Sequence, residues 1–163
     1  MTRTRTALCL ALATALTAGT AAAAEPDQCR SIVFSDVGWS DITATTALTT
    51  TVLEALGYRT ETKILSVPVT YTALSTDDVD VFLGNWMPTM AADIAPYDDA
   101  GTVDTVRTNL TGAKYTLATN KAGADLGITD FAQIAEQKDA LGGQILGIEP
   151  GNDGNRLLLE MVA

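Results

Sequence analysis

Ser31-Ile-Val-Phe-Ser-Asp-Val-Gly-Trp-Ser-Asp41 is the stretch that decides the fold of this chain. Ser31 to Ser35 is a short apolar run of the kind that forms a buried strand. Asp36 to Asp41 predicts a loop, and Ser40 or Asp41 carries the side-chain oxygen needed to cap a following helix. Downstream, Leu48, Val52, Leu53, Ala55 and Leu56 fall at helical spacing, and Gly57 supplies a stop. The threonines between Thr43 and Thr51 weaken local helix propensity, so packing must hold this helix.

The same alternation continues outward. From Tyr58 to Leu65, Arg59, Glu61 and Lys63 fall on one face and Tyr58, Thr60, Thr62 and Ile64 on the other, the period of a strand with one solvated side. Pro68 to Leu74 predicts a short helix or turn, and Val79 to Leu83 the next strand, ended by Gly84-Asn85. Strand, helix, strand, helix, strand implies a parallel α/β sheet with right-handed crossovers. Beyond Tyr97, Asp98-Asp-Ala-Gly101 is a turn and Val103 to Leu110 is extended. Lys114 to Thr119 predicts a strand, Thr129 to Glu136 a helix, Gln144 to Ile148 a strand, and Glu149 to Gly154 a loop into a final helix. The expected division is residues 25–108 for a first α/β lobe and 109–163 for the start of a second.

The first residues bear on compartment. Arg3 and Arg5 precede an apolar run from Ala7 to Ala18, and Ala22-Ala23-Ala24 offers small residues for cleavage. That order is a secretory signal peptide over residues 1–24, and its apolar run is too short to span a bilayer. The expected mature protein is exported to the periplasm. It keeps eight basic residues against twenty acidic ones, about −12 in net charge. Such a chain repels phosphate backbones and is a poor partner for nucleic acid. Cys9 falls in the signal peptide, which leaves Cys29 as the one cysteine after cleavage. An unpaired thiol is unusual in an oxidising compartment, so Cys29 is either free or a disulfide candidate whose partner lies beyond Ala163. The final Arg156-Leu-Leu-Leu-Glu-Met-Val-Ala163 lacks a helix stop signal, and the expectation is a chain that continues.

The two tryptophans carry the chemistry. Trp39 and Trp86 each follow a predicted strand, in loops that share the carboxyl edge of an open parallel sheet, where ligands bind. Tyr115 begins the first strand of the second lobe and can face them across a cleft. Aromatic faces attract a cation without requiring it to donate hydrogen bonds, which suits a quaternary ammonium. Each contact contributes about 0.5–2 kcal/mol, and three or four approach the roughly 8 kcal/mol of micromolar binding. Asp41 puts a carboxylate at the same rim. Taken singly, each tryptophan fits a core position, Asp41 a helix cap, and Tyr115 a half-buried strand position.

Four stretches carry a resemblance: Val33-Phe-Ser-Asp-Val-Gly-Trp-Ser-Asp41, Asp80-Val-Phe-Leu-Gly-Asn-Trp-Met-Pro88, Ala113-Lys-Tyr-Thr-Leu117 and Gly147-Ile-Glu-Pro-Gly151. In this order they resemble the choline- and glycine-betaine-binding periplasmic proteins of ABC transporters, the choline-binding branch most of all. The resemblance implies a type II-like binding protein with two α/β lobes that close on ligand, the second lobe incomplete in this chain. It implies that Trp39, Trp86 and Tyr115 wall an aromatic box and that Asp41 and Asn152 meet the polar end of the ligand. It implies a monomeric receptor that delivers its ligand to a transporter permease. The family's further box aromatic, from later in the second lobe, has no counterpart here, nor has the return of the chain into the first lobe.

A betaine carboxylate calls for Arg, Lys or clustered backbone N–H groups, whereas the choline hydroxyl calls for acceptors. Asp41 repels a carboxylate, which favours choline, with glycine betaine or proline betaine as the alternative. An enzyme is disfavoured: there is no histidine, and no nucleophile elbow, phosphate loop or dinucleotide glycine pattern. Neither a cofactor nor a metal site is expected, because Asp77-Asp78 and Asp98-Asp99 lack calcium-loop spacing. The ligand-sensing domain of a regulator shares this architecture, but the export signal argues against it.

Overall fold

A computed structural model of the protein describes residues 26–163. The signal peptide expected over residues 1–24 lies outside these residues. A single 3-10 turn, Asp27–Arg30, leads into β1 (Ser31–Asp36). The order is then α1 (Ser40–Ala55), β2 (Arg59–Ile64), α2 (Val67–Ser75), β3 (Val81–Phe82), α3 (Ala91–Asp99), α4 (Lys121–Asp125), α5 (Ala132–Glu136) and α6 (Asp153–Val162). The strands form one parallel sheet in the order β2-β1-β3.

β1 occupies the centre because its sequence suits it. Both of its edges are paired, Ser31 to Asp36 against Arg59 to Ile64 and Phe34-Ser35 against Val81-Phe82. Its second half is buried, and the polar members there are satisfied. Ser35 Oγ lies 2.6 Å from Thr70 Oγ1, and Asp36 accepts from Gly38 N and Thr43 Oγ1 at 2.7 and 2.8 Å. Asp36 thereby ties the end of β1 to the first turn of α1. The cap expected from Ser40 or Asp41 is not formed: Trp39 is the N-cap residue and no side chain bonds the helix there.

Below the sheet edge, Val67 and Tyr71 of α2 meet Met90 and Ile94 to form the buried cluster. Tyr71 stands edge-on to Phe82 at 6.0 Å and stacks on Tyr97 at 5.9 Å. Trp39 and Trp86 pack half-buried against this cluster.

Several expectations are corrected. In α1 the buried residues are Ile42 and Thr46, while Leu48, Val52 and Leu56 are exposed, so the apolar stripe read from spacing is not the packed one. In β2, Ile64 is exposed as well. The strand expected from Val79 to Leu83 pairs only over two residues. Asp98-Asp99 closes α3, a helix that the pattern did not predict, and Gly101 makes the turn after it. Lys114–Thr119 and Gln144–Ile148 are not strands, since no strand pairs with either among the described residues. The helix expected over Thr129–Glu136 is shorter, with Gln133 Oε1 taking the Thr129 and Asp130 backbone N–H groups ahead of it.

Candidate functional site

The carboxyl ends of β1 and β3 release the chain into the two loops that carry the tryptophans. Trp39 precedes α1, and Trp86 lies between β3 and α3. Gly84 opens the second loop: a Cβ there would lie 2.8 Å from the Phe82 ring and 3.0 Å from Ile42 Cγ1, so only glycine passes at this distance. Trp86 and Tyr115 meet at 5.9 Å between ring centroids, tilted by 47°.

A cleft of about 440 Å³ opens beside this pair. Its walls include Asp41, Asn85, Trp86, Thr89, Asn109 and Tyr115. The volume suits one small molecule, and the wall chemistry is two aromatic rings, one carboxylate and two amides. Thus Asp41, Trp86 and Tyr115 share one cleft, whereas Trp39 and Asn152 do not line it.

Trp39 and Asn152 are instead joined to it through Glu149. Glu149 Oε1 accepts from Trp39 Nε1 and from Asn152 Nδ2, both at 3.0 Å. Asn152 Oδ1 in turn accepts from Tyr115 OH at 3.1 Å and from Gly154 N at 2.8 Å, capping α6. Tyr115 OH lies so close to Gly154 that a side chain there would displace it. One hydrogen-bonded chain therefore runs Trp39–Glu149–Asn152–Tyr115, and the Tyr115 ring meets Trp86 at a tilt. Burial, with Asp153 and Glu149 nearby, pushes the Tyr115 hydroxyl pKa up, so at neutral pH this group is a donor.

Glu149 escaped the sequence reading. It lies 110 residues from Trp39, and nothing local marks a glutamate in Glu-Pro-Gly as the anchor of a distant indole. Replacing it by Gln leaves one acceptor but exchanges a charge-assisted bond for neutral ones. We expect Glu149→Gln to weaken binding at the cleft about tenfold and Glu149→Ala by more, both read by calorimetric titration. Unaltered affinity in both variants would show that the link does not position the wall. Cys29 is exposed in the 3-10 turn and has no disulfide partner among the described residues.

A parallel α/β sheet whose strand-end loops build an aromatic, acid-rimmed cleft matches the periplasmic binding protein fold. Residues 30–163 match the family described as the substrate binding domain of an ABC-type glycine betaine transport system, and the chain belongs to that family. It is similar to an ABC-transporter choline-binding protein solved in complex with choline, at 69% identity and a TM-score of 0.80 over 85% of this chain. The same 69% identity holds for an ABC-transporter choline-binding protein in an unliganded semi-closed conformation, with a TM-score of 0.73 over 83% of this chain. The chain spans about half the length of these two, 48% and 47%. It is also 50% identical over 130 residues to an uncharacterized protein ORF1 of Chromohalobacter salexigens, covering 80% of this chain and 84% of that one.

Proposed function

We propose that this chain is a solute-binding component of an ABC importer and that its ligand is choline, held by cation–π contact and released to a permease. The observation that carries this reading is the Trp86–Tyr115 pair with Asp41 on the same cleft. Trp86 and Tyr115 present ring faces to a methylated ammonium, and Trp39 completes the wall when the site closes. Asp41 takes the ligand hydroxyl, and Asn152, bonded to the Tyr115 hydroxyl behind the wall, reaches it by exchanging that bond for one to the ligand. The choline-bound relative at 69% identity supports this assignment.

The lobes divide near residues 108–112, a division supported by the run from Asp104 to Asn120, which has neither helix nor strand. The work proposed is capture rather than turnover, and its place is outside the cytoplasm, in the periplasm. None of the described helices is long and apolar enough to cross a membrane.

Glycine betaine is the second reading, favoured by the family's description. Against it stands Asp41, which repels a carboxylate in the cleft. Titration of the exported full-length protein with choline, acetylcholine and glycine betaine separates the two. Choline should bind tightest, and tighter binding of glycine betaine would reverse the assignment.

A further inference from the structure

Asp153 is the first residue of α6 and is 1% exposed. Among the described residues, neither of its carboxylate oxygens has a hydrogen-bond partner. A buried carboxylate of this kind is costly unless something compensates its charge. The positive end of α6 supplies part of that compensation. The cation next along the helix does not supply the rest by contact, because Arg156 is engaged with Asp93 at 3.4 Å, Glu160 at 3.5 Å and Thr89 O at 3.2 Å. Glu149, the other acid on this side, is bonded to Trp39 and Asn152.

The neighbours of Asp153 place it behind the aromatic wall. Its flanking residues, Asn152 and Gly154, are the two against which the Tyr115 hydroxyl rests. Burial first, and then the negative charge of Asp153 among neighbouring acids, raises the pKa of both Tyr115 and Tyr71. Tyr115 faces the cleft, and the Tyr71 hydroxyl bonds Asn85, which also lines it.

We propose that Asp153 is a fixed negative charge that, together with the aromatic faces and the Asp41 carboxylate on the wall, strengthens this cleft's preference for a cation over an uncharged molecule of the same shape. It touches no ligand. It acts through space across the Tyr115 wall, where low dielectric and the absence of competing hydrogen bonds leave its field unspent. The aromatic faces supply the fit, and Asp153 raises the preference for positive charge. The inference rests on the quaternary-ammonium reading and adds a residue to it.

The test uses the full-length protein, two cations and one neutral probe. Choline and tetramethylammonium carry the charge, and 3,3-dimethylbutan-1-ol is the uncharged carbon isostere of choline. Asp153→Asn should weaken both cations roughly tenfold or more and leave the neutral probe within about twofold. Asp153→Ser removes the same charge with a smaller side chain and gives the reading if the amide does not fold. Asp153→Glu should restore most of the selectivity, which a purely structural role would not. An unchanged cation-to-neutral ratio in the uncharged variants, with wild-type protein still preferring cations, overturns the inference and leaves the choline reading standing. Wild-type protein that shows no preference for cations overturns both.

Discussion

On the choline reading, Trp86→Ala is expected to lower choline affinity by about two orders of magnitude, and Trp39→Ala nearly as strongly. Trp86 presents one face of the cleft and braces Tyr115 at 5.9 Å, so its removal takes away a cation–π contact and loosens a second. Each contact is worth about 0.5–2 kcal/mol, and the lost apolar burial adds a comparable amount. Trp39 acts differently. Its indole N–H holds Glu149, and through Glu149 it fixes Asn152 and the Tyr115 hydroxyl. Without Trp39 a half-buried carboxylate loses a donor, and the polar end of the site loses its anchor. Calorimetric titration checks both variants, with thermal unfolding to confirm that each is folded. Affinity that stays within a few-fold of wild type in both contradicts the aromatic box.

Tyr71→Ala has the largest effect expected on stability, a loss of about 3–5 kcal/mol. Tyr71 is fully buried, packs against Val67, Met90 and Ile94, and joins the rings of Phe82 and Tyr97. Its hydroxyl donates to Asn85 Oδ1 at 2.9 Å. Tyr71→Phe keeps the ring and costs only the bond, about 1–2 kcal/mol. Urea unfolding with an unchanged slope measures both, and equal losses for the two would mean that the hydroxyl rather than the packing holds the cluster. The same side chain sets an alkaline limit. Burial, with Asp93 and Asp153 nearby, pushes its pKa well above the usual tyrosine value. The unfolded chain gives up this proton near pH 10 and the folded chain only at higher pH. Stability from this group is therefore complete below about pH 10 and falls as pH rises beyond it.

The first half of the fold is legible because its signals are local. Ser31 to Asp36 is apolar enough to need two neighbours, and Pro68 sits in the first turn of α2, where its missing N–H costs nothing. What failed depended on partners. Lys114–Thr119 has strand composition, yet a strand exists only where another offers hydrogen bonds. The exposed Leu48, Val52 and Leu56 show that helical spacing marks a stripe without saying which stripe is covered. α3 was hidden by Pro96 and the acidic pair that ends it.

For the site, the loops after strands point to Trp39, Asp41 and Trp86 by topology alone. Tyr115 and Asn152 came with the resemblance and position in the chain. Glu149 and Asp153 were invisible, because their significance is what they touch or fail to touch: an indole 110 residues away for one, and no donor among the described residues for the other.

The account depends on a permanent positive charge meeting aromatic faces. Its most direct test is a calorimetric comparison of choline with 3,3-dimethylbutan-1-ol on the full-length wild-type protein, since the two differ in charge and hardly in shape. Choline should bind tighter by a factor on the order of 100. Equal affinity would mean that shape and apolar burial hold the ligand, and the cation–π account would be wrong.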